Sequence, residues 1–195
     1  MSGRIERSSP ELWLARHGQT TWSRDWLHTS VTDVPLTEQG IEDARALRPR
    51  LETVPFALVL TSPRARARRT AELAGFPEAV VDDDLAEWGY GSYEGVSTAT
   101  IRETVPGFSV WTHPLPGGES VDDVAHRVER VLARVRAARG DALLFGHAHA
   151  LRVLTARWLG LPPVEGRLFR LDTGSLSVLG HERETPVIRT WNATR

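Results

Sequence analysis

Short apolar runs alternate with helical patterns along most of this chain. Continuous apolar runs at 12–15, 56–60 and 142–145 read LWLA, FALVL and ALLF. Their length and continuity are typical of strands that are buried on both faces of a sheet. A shorter run at 79–81 predicts one more strand. Strands that alternate with helices in this way predict a parallel sheet.

Between these runs, apolar residues recur at the three- and four-residue spacing of amphipathic helices. The first helix is predicted to begin after Thr37 and to end or kink near Pro49. The second is predicted to start right after the 56–60 strand, with Ser62 as its N-cap and Pro63 as its first residue. Further helices are predicted at 97–104, from Ser120 to Gly140, and at 150–159.

The last part of the chain has β character. Residues 167–172 and 175–180 predict a hairpin joined through Thr173 and Gly174, and 187–191 predict an edge strand. The segment 106–120 is rich in proline and glycine, which predicts a loop that forms a flap near a pocket.

These elements predict an α/β fold. We expect a three-layer sandwich with a mainly parallel central sheet, one antiparallel edge strand and helices on both faces. Residues 1–10 are expected to form a flexible leader and 11–195 a single domain, in which 88–120 supply active-site loops or a flap.

The composition removes several classes of function. The chain of 195 residues has no cysteine, which excludes thiolate catalysis, disulfide frameworks and zinc sites built on sulfur. Its formal charge of −1 argues against nucleic-acid or anionic-membrane binding driven by net charge. Residues 1–10 carry charges and no apolar run, so we expect no signal peptide or membrane anchor and, by default, a cytoplasmic location.

Candidate chemistry follows directly after the first predicted strand. Ligands of open α/β sheets bind beyond the carboxyl ends of the strands. Arg16 offers a planar cation that matches phosphate oxygens, His17 a nucleophilic nitrogen, and Gly18 a close approach of backbone. The tripeptide alone is equally compatible with a surface turn. Whether it forms a functional site therefore has to be judged together with the other motifs of the chain.

Four further motifs follow along the chain. After RHG at 16–18 come TDVPLTEQG at 32–40, SPRARARRTAE at 62–72, LAEWGYGSYEG at 85–95 and GHAHALRVL at 146–154. This series resembles that of the histidine phosphatase superfamily, the phosphoglycerate mutase-like family, from residue 12 to about residue 180. Because ordered motifs are far more specific together than singly, the resemblance implies a fold that handles phosphate.

The resemblance implies a role for each of five residues. His17 corresponds to the nucleophile that becomes phosphohistidine, and Arg16 beside it corresponds to a phosphate ligand. Arg66 matches the arginine of the third motif, which also binds phosphate. His147 fills the position of the second active-site histidine, and Glu87 fills that of the proton donor.

The physics of phosphoryl transfer explains why such a set is needed. A phosphate dianion repels nucleophiles, so we expect the two arginines and a protonated His147 to neutralise its oxygens. His17 has to stay neutral, which nearby cations favour. Glu87 has to hold a proton for the leaving alkoxide. No step requires a metal or another cofactor, and no metal-binding spacing is present in the sequence, so we expect neither.

Three residues depart from the family pattern. Ser23 stands where many members have asparagine, and its hydroxyl can still donate a hydrogen bond to phosphate. Ser30 and Ala148 stand where glycine is common, and an alanine would be strained there if its φ had to be positive. The substrate-binding residues that we expect are Ser23, Thr29, Ala148, His149, Trp88 and Tyr90.

The predicted loops are rich in aromatic residues. Aromatic rings with hydroxyl or imidazole tips suit sugars, although we expect at least half of the loop tryptophans to pack the loops instead. Glu94 is expected to be a structural carboxylate rather than a second acid. His28 and His113 are expected to be rim or surface residues.

The stretches at 82–95, 116–120 and 171–180 most resemble the branch of the superfamily that acts on sugar phosphates. The resemblance therefore implies a metal-independent phosphomonoester hydrolase that works through a phosphohistidine on a small sugar phosphate or related metabolite. Two alternatives stay open, which are phosphoglycerate mutase-type phosphoryl transfer and a non-catalytic module that binds a phosphate ligand. The expected partner is a small-molecule phosphate ester, with no nucleic acid and no membrane. The chain is expected to be a monomer or a homodimer.

Overall fold

The computed structural model describes residues 10–194, so the expected leader at 1–10 lies, except for Pro10, outside the described residues. Six strands form one sheet in the order β3-β2-β4-β1-β5-β6. The first four of these are parallel, and β5 and β6 add an antiparallel edge. The predicted α/β fold class is confirmed. The strands are β1 (Leu12–Arg16), β2 (Leu58–Thr61), β3 (Val80–Val81), β4 (Ala142–Gly146), β5 (Leu176–Glu182) and β6 (Thr185–Ala193).

Helices cover both faces of the sheet. Leu47 of α2 and Ala71 of α3 pack with Leu143 on one face. Val128 of α5 and Leu151 of α6 pack in the larger core on the other face. The predicted three layers follow from this division. The helices are α1 (Thr21–Arg24), α2 (Glu38–Leu51), α3 (Ala65–Leu73), α4 (Thr98–Thr104), α5 (Val121–Ala137) and α6 (Ala148–Trp158).

The register of the parallel strands aligns the residues that follow them. Arg16 of β1 lies opposite Gly146 of β4, so His17 and His147 leave the sheet side by side. Thr61 of β2 pairs with Phe145 of β4, which brings the residue after β2 to the same edge. Three segments of the chain thus converge at the carboxyl ends of adjacent strands, where α/β sheets bind their ligands.

The start of α3 differs from the prediction. The helix begins at Ala65, and neither Ser62 nor Pro63 belongs to it. The first helical N–H is capped from outside, because the amide of Ala65 donates to Oδ1 of Asp33 at 2.9 Å. The Asp33 carboxylate, which comes from a loop distant in sequence, therefore caps α3 in place of Ser62, the N-cap that the local sequence predicts.

The predicted hairpin between 167–172 and 175–180 is wrong. The hairpin joins β5 to β6, and the chain from 163 to 168 forms a 3₁₀ helix instead of a strand. In the predicted strand 167–172, the carbonyl of Leu171 is taken by another group, since it accepts a hydrogen bond from Nη1 of Arg16 at 2.6 Å. A strand needs such carbonyls for its own ladder.

The loop at 106–120 is present as predicted, but part of it is anchored. Phe108 is completely buried and Trp111 is buried in the same core as α5. The loop therefore has apolar anchors of its own, beside the cavity described below. No helix between residues 10 and 194 is both long enough and apolar enough to cross a lipid bilayer.

Candidate active site

A cavity of about 940 Å³ opens where the parallel strands end. Arg16, His17 and Glu87 line it, and the segments 97–99 and 108–111 contribute to its wall. Both segments belong to the 88–120 region, which we expect to supply active-site loops.

His17 is held as one tautomer by the residue that follows it. Its Nδ1 lies 2.8 Å from the carbonyl oxygen of Gly18, and a carbonyl can only accept, so Nδ1 carries the proton. In the neutral ring, Nε2 then has the free lone pair and is the nucleophilic atom. Gly18 fits this turn because any Cβ there would collide with the backbone of Gly40.

The surroundings of His17 keep the imidazole neutral. Burial is the largest cause that lowers its pKa well below the ordinary value, and the positive charges of Arg66 and Arg16 lower the pKa further. The hydrogen bond to Gly18 raises the pKa but is the smallest of these effects. A neutral ring with a free nitrogen is the state that a phosphoryl acceptor needs.

His147 lies next to His17, and its surroundings disfavour a positive charge in the absence of a ligand. Their ring centroids are 5.1 Å apart. Burial first, and then the positive charge of Arg66, lower the pKa of His147 well below the ordinary value. The expected protonated state of His147 concerns the site with a phosphate dianion bound, so it stays a prediction. A bound phosphate dianion has the opposite sign and favours protonation.

The two nitrogens of His147 differ in their partners. Nε2 lies 2.7 Å from Oγ of Ser62, which follows β2. Nδ1 is buried and has no hydrogen-bond partner among the described residues. The side chain itself is 0% exposed and does not line the cavity.

Arg66 is fixed by the backbone of the loop before α2. Its Nη1 donates to the carbonyl of Thr32 at 3.0 Å, and its Nη2 donates to those of Thr29 at 3.1 Å and Ser30 at 3.3 Å. Arg66 is 1% exposed and is not among the residues that line the cavity. Carbonyl oxygens therefore hold the guanidinium in place.

Arg16 also keeps a free donor. Its Nη1 donates to the carbonyl of Leu171, but its Nε is buried without a hydrogen-bond partner in the described part of the chain. Unpaired buried donors are costly unless a ligand takes them. Arg16 and His17 both line the cavity, so the guanidinium lies at the wall where a ligand would bind.

Glu87 is held by the start of α6. Its Oε1 accepts from the amides of Trp88 at 2.8 Å and Ala150 at 2.9 Å, and its Oε2 accepts from that of His149 at 3.1 Å. The carboxyl group is 7% exposed and lines the cavity. It is therefore fixed in position and within reach of a ligand.

The wall of the cavity next to Glu87 carries neutral polar rings. The hydroxyl of Tyr90 lies 2.6 Å from Nδ1 of His149, and the ring of His28 lies 4.6 Å from that of Tyr90. Burial lowers the pKa of His28 to about 4 and that of His149 well below its ordinary value. All three line the cavity. At neutral pH this wall presents uncharged hydrogen-bonding groups.

Other substrate-binding predictions meet a mixed outcome. Thr29, Ala148 and Ser23 line the cavity, but the Ser23 hydroxyl donates to the carbonyl of Thr20 at 3.0 Å and so serves the cap of α1. Trp88 does not line the cavity, because its ring is 1% exposed and packs in the core against Trp111.

Ala148 does not have the backbone strain that a positive φ would cause at this position. It is the first residue of α6, and its φ is not positive. Ser30 is likewise free of a positive φ, and its hydroxyl donates to Glu94 at 2.6 Å. Glu94 accepts from backbone as well, which agrees with a structural carboxylate.

The sequence did not single out two residues of this region. Ser62 contacts His147, and its place after β2 could have indicated it, since His17 and His147 follow strands in the same way. Arg152 lines the cavity with its guanidinium 4.7 Å from the ring centroid of Trp111, and only its position one helical turn beyond Ala148 pointed to it.

Within residues 10–194 no group of three or more histidine, aspartate or glutamate side chains is arranged to hold a metal ion. The groups gathered at this edge of the sheet are an unprotonated imidazole nitrogen, fixed guanidinium groups and a carboxyl group. This combination suits the transfer of a phosphoryl group to nitrogen.

Comparison with known proteins gives a consistent result. The family described as histidine phosphatase superfamily (branch 1) matches residues 12–194. An acid phosphatase of Mycobacterium tuberculosis is 41% identical over 175 residues, which are 88% of this chain and 86% of that protein. Sedoheptulose 1,7-bisphosphatase of Saccharomyces cerevisiae is 33% identical over 188 residues, with 78% of this chain and 69% of that protein covered.

A solved structure agrees with these sequence matches. The structure of the open reading frame Rv3214 from Mycobacterium tuberculosis superposes with a TM-score of 0.91 at 38% identity. The match covers 95% of this chain and 98% of that chain. The likeness therefore extends over nearly the whole fold.

Proposed function

Because the chain belongs to the histidine phosphatase superfamily and is a phosphatase, we propose that it hydrolyses small phosphomonoesters through a phosphohistidine at His17, without a metal ion. The single observation that carries the proposal is the hydrogen bond from Nδ1 of His17 to the carbonyl of Gly18. It leaves Nε2 unprotonated beside an arginine with a free donor, in a cavity large enough for an ester.

In the first step, Nε2 of His17 attacks phosphorus and the bond from phosphorus to the ester oxygen breaks. Arg16 and Arg66 stabilise the negative charge on the equatorial oxygens. Glu87 gives its proton to the departing alkoxide. The products of this step are the free alcohol, phosphohistidine and the Glu87 carboxylate.

In the second step, water attacks the phosphohistidine. The Glu87 carboxylate takes a proton from the water, the bond from phosphorus to Nε2 breaks, and inorganic phosphate leaves. His147 donates a hydrogen bond to a phosphate oxygen once the dianion has offset the surrounding positive charge. Its buried Nδ1, which lacks a partner in the described residues, is the atom available for this contact.

A sugar phosphate or a related metabolite is the proposed substrate class. The yeast relative is named for a sugar bisphosphate. In this chain, the wall formed by Tyr90, His149 and His28 offers uncharged hydrogen-bonding groups, which suit the hydroxyls of a sugar.

The large cavity favours hydrolysis over a mutase reaction. A mutase has to keep water away from its phosphohistidine and return the phosphoryl group to a bound alcohol. The cavity of about 940 Å³ leaves room for water beside a small ester. A phosphatase uses this access in its second step.

The experiment is a measurement of phosphate release from sugar monophosphates and bisphosphates, phosphoglycerates and a phosphopeptide, with EDTA present. We expect release by the wild-type protein and none by His17→Ala, with a sugar phosphate as the best substrate. Isomerisation of phosphoglycerates that depends on a bisphosphate primer, without net release, would instead establish the mutase. Binding without turnover of any ester would establish the non-catalytic module.

A further inference from the structure

Trp26 is an exposed aromatic residue that lines the catalytic cavity. Its side chain is 76% exposed, the highest value among the large exposed apolar residues of the described chain. The indole makes no hydrogen bond and no aromatic contact with any residue in 10–194. Packing within the described protein therefore does not account for a tryptophan at this position.

The backbone at Trp26 has a conformation that favours glycine. The helix α1 ends in a Schellman motif, in which the amide of Leu27 donates to the carbonyl of Trp22 at 2.9 Å and that of Trp26 to the carbonyl of Ser23 at 3.4 Å. The residue after the C-cap of this motif is left-handed and is usually glycine. Trp26 occupies it with a φ of 60°. A large side chain is placed here against the local preference of the backbone.

We propose that Trp26 is a stacking platform for a ring in the alcohol part of the substrate, and that it selects cyclic over open-chain phosphate esters. The proposal rests on the proposed function, because it places the phosphate at His17 and the alcohol toward Trp26. Tryptophan offers a broad, rigid and apolar face at little cost in conformational entropy.

The rest of the cavity supports this occupant. Leu27, Ala99, Phe108 and Val110 line it as well and add apolar surface. The phosphate needs only the polar groups around His17, so a cavity of about 940 Å³ leaves most of its space to the alcohol. A ring that covers Trp26 removes exposed indole surface from water, which favours binding.

The ring that stacks on Trp26 belongs either to a sugar or to an aromatic group in the alcohol part of the substrate. The probes are therefore glucose 6-phosphate, 1-naphthyl phosphate and, as the open-chain reference, glycerol 3-phosphate. Affinities are measured by calorimetry in His17→Ala, which binds without turnover, with and without Trp26→Gly. Turnover of the same esters by the protein with His17 intact reports separately on the proposed function.

Trp26→Gly is the sharpest variant, because glycine suits the left-handed position and the fold should keep or gain stability. We expect it to weaken binding of a cyclic ester by about fivefold, and that of glycerol 3-phosphate by less than about twofold. A loss with glucose 6-phosphate alone or with 1-naphthyl phosphate alone identifies the kind of ring.

Arg183→Gly is the matched control. Arg183 is exposed, has a φ of 54° in the turn between β5 and β6, and does not line the cavity. It should gain stability in the same way and leave all three affinities unchanged. Equal changes for cyclic and open-chain esters in Trp26→Gly, or no change for any of them, would overturn the proposal.

Discussion

Glu94 and Ser30 are joined by three hydrogen bonds. The Ser30 amide lies 2.9 Å and 3.0 Å from the two carboxylate oxygens, and the Ser30 hydroxyl donates to Oε2 at 2.6 Å. The amide of Thr32 adds a fourth contact to the same carboxylate at 3.0 Å. The carbonyls of these same loop residues hold the guanidinium of Arg66. Glu94 thus positions Arg66, for which we propose phosphate binding, and does not itself line the cavity.

Glu94→Gln tests this relay, in which Glu94 holds the loop of Ser30 and Thr32 and the carbonyls of that loop hold Arg66. The new amide group places a donor against the N–H groups of Ser30 and Thr32, so the loop loses charge-assisted hydrogen bonds and Arg66 loses its fixed carbonyls. We expect the inhibition constant of inorganic phosphate to rise by about tenfold. The affinity is measured by competition against a chromogenic ester.

The exposed Glu78→Gln is the control for the loss of one carboxylate. It should leave phosphate affinity unchanged. If Glu94→Gln is folded and also binds phosphate as the wild-type protein does, the loop does not depend on Glu94 and the relay is refuted.

Glu87→Gln should affect substrates according to their leaving groups. An alkoxide needs a proton when it departs, whereas p-nitrophenolate needs little help. We expect kcat to fall by about 100-fold for an alkyl phosphate and by about tenfold or less for p-nitrophenyl phosphate. The ratio of the two rates in one sample is the measurement, because it does not depend on how much of the variant is folded.

Exposed Glu184→Gln serves as the control and should leave the ratio at the wild-type value. Equal losses for both esters in Glu87→Gln would show that Glu87 is not the proton donor.

His28 makes the folded protein sensitive to acid. Burial lowers the pKa of His28 to about 4, whereas the unfolded chain has the ordinary value of 6.5. The unfolded state therefore binds more protons between these pH values. The stabilising contribution is fully present above pH 6.5 and is lost as the pH falls from there toward 4.

His28→Phe should reduce this sensitivity. Phenylalanine keeps a ring beside Tyr90 and Phe108 but has no proton to bind. We expect the loss of unfolding free energy between about pH 7 and about pH 5 to be smaller by about 2 kcal/mol than in the wild-type protein. Urea unfolding at both pH values gives this difference.

His126→Asn, at an exposed position, controls for the loss of one imidazole. A wild-type pH dependence in His28→Phe would mean that protonation of His28 in the folded protein does not lower the free energy of unfolding.

The sequence predicted the parts of the fold that depend on local pattern. The apolar runs correctly indicated β1, β2, β3 and β4, and Thr37 and Ser120 cap α2 and α5 as their sequences predict. These features depend on residues that lie close together in the sequence. The motifs likewise brought His17, Arg16 and Glu87 to one cavity.

Other features depend on partners that are distant in sequence. Asp33, which caps α3, could not be inferred from the α3 sequence, which pointed to Ser62. The charge of His147 depends on the positive groups gathered around it in the fold. Trp88 looked like a loop residue because of the glycines near it, yet its ring belongs to the core. Local composition does not report such long-range contacts.

The central claim is that His17 carries the phosphoryl group during turnover. The most direct measurement is to mix the protein with a phosphate ester labelled in its phosphoryl group, quench with alkali within the first turnover, and locate the label by peptide mapping. We expect a label that is stable to alkali, labile to acid and confined to His17, with none in His17→Ala. Turnover by the wild-type protein without any label on His17, or turnover that persists in His17→Ala, would contradict it.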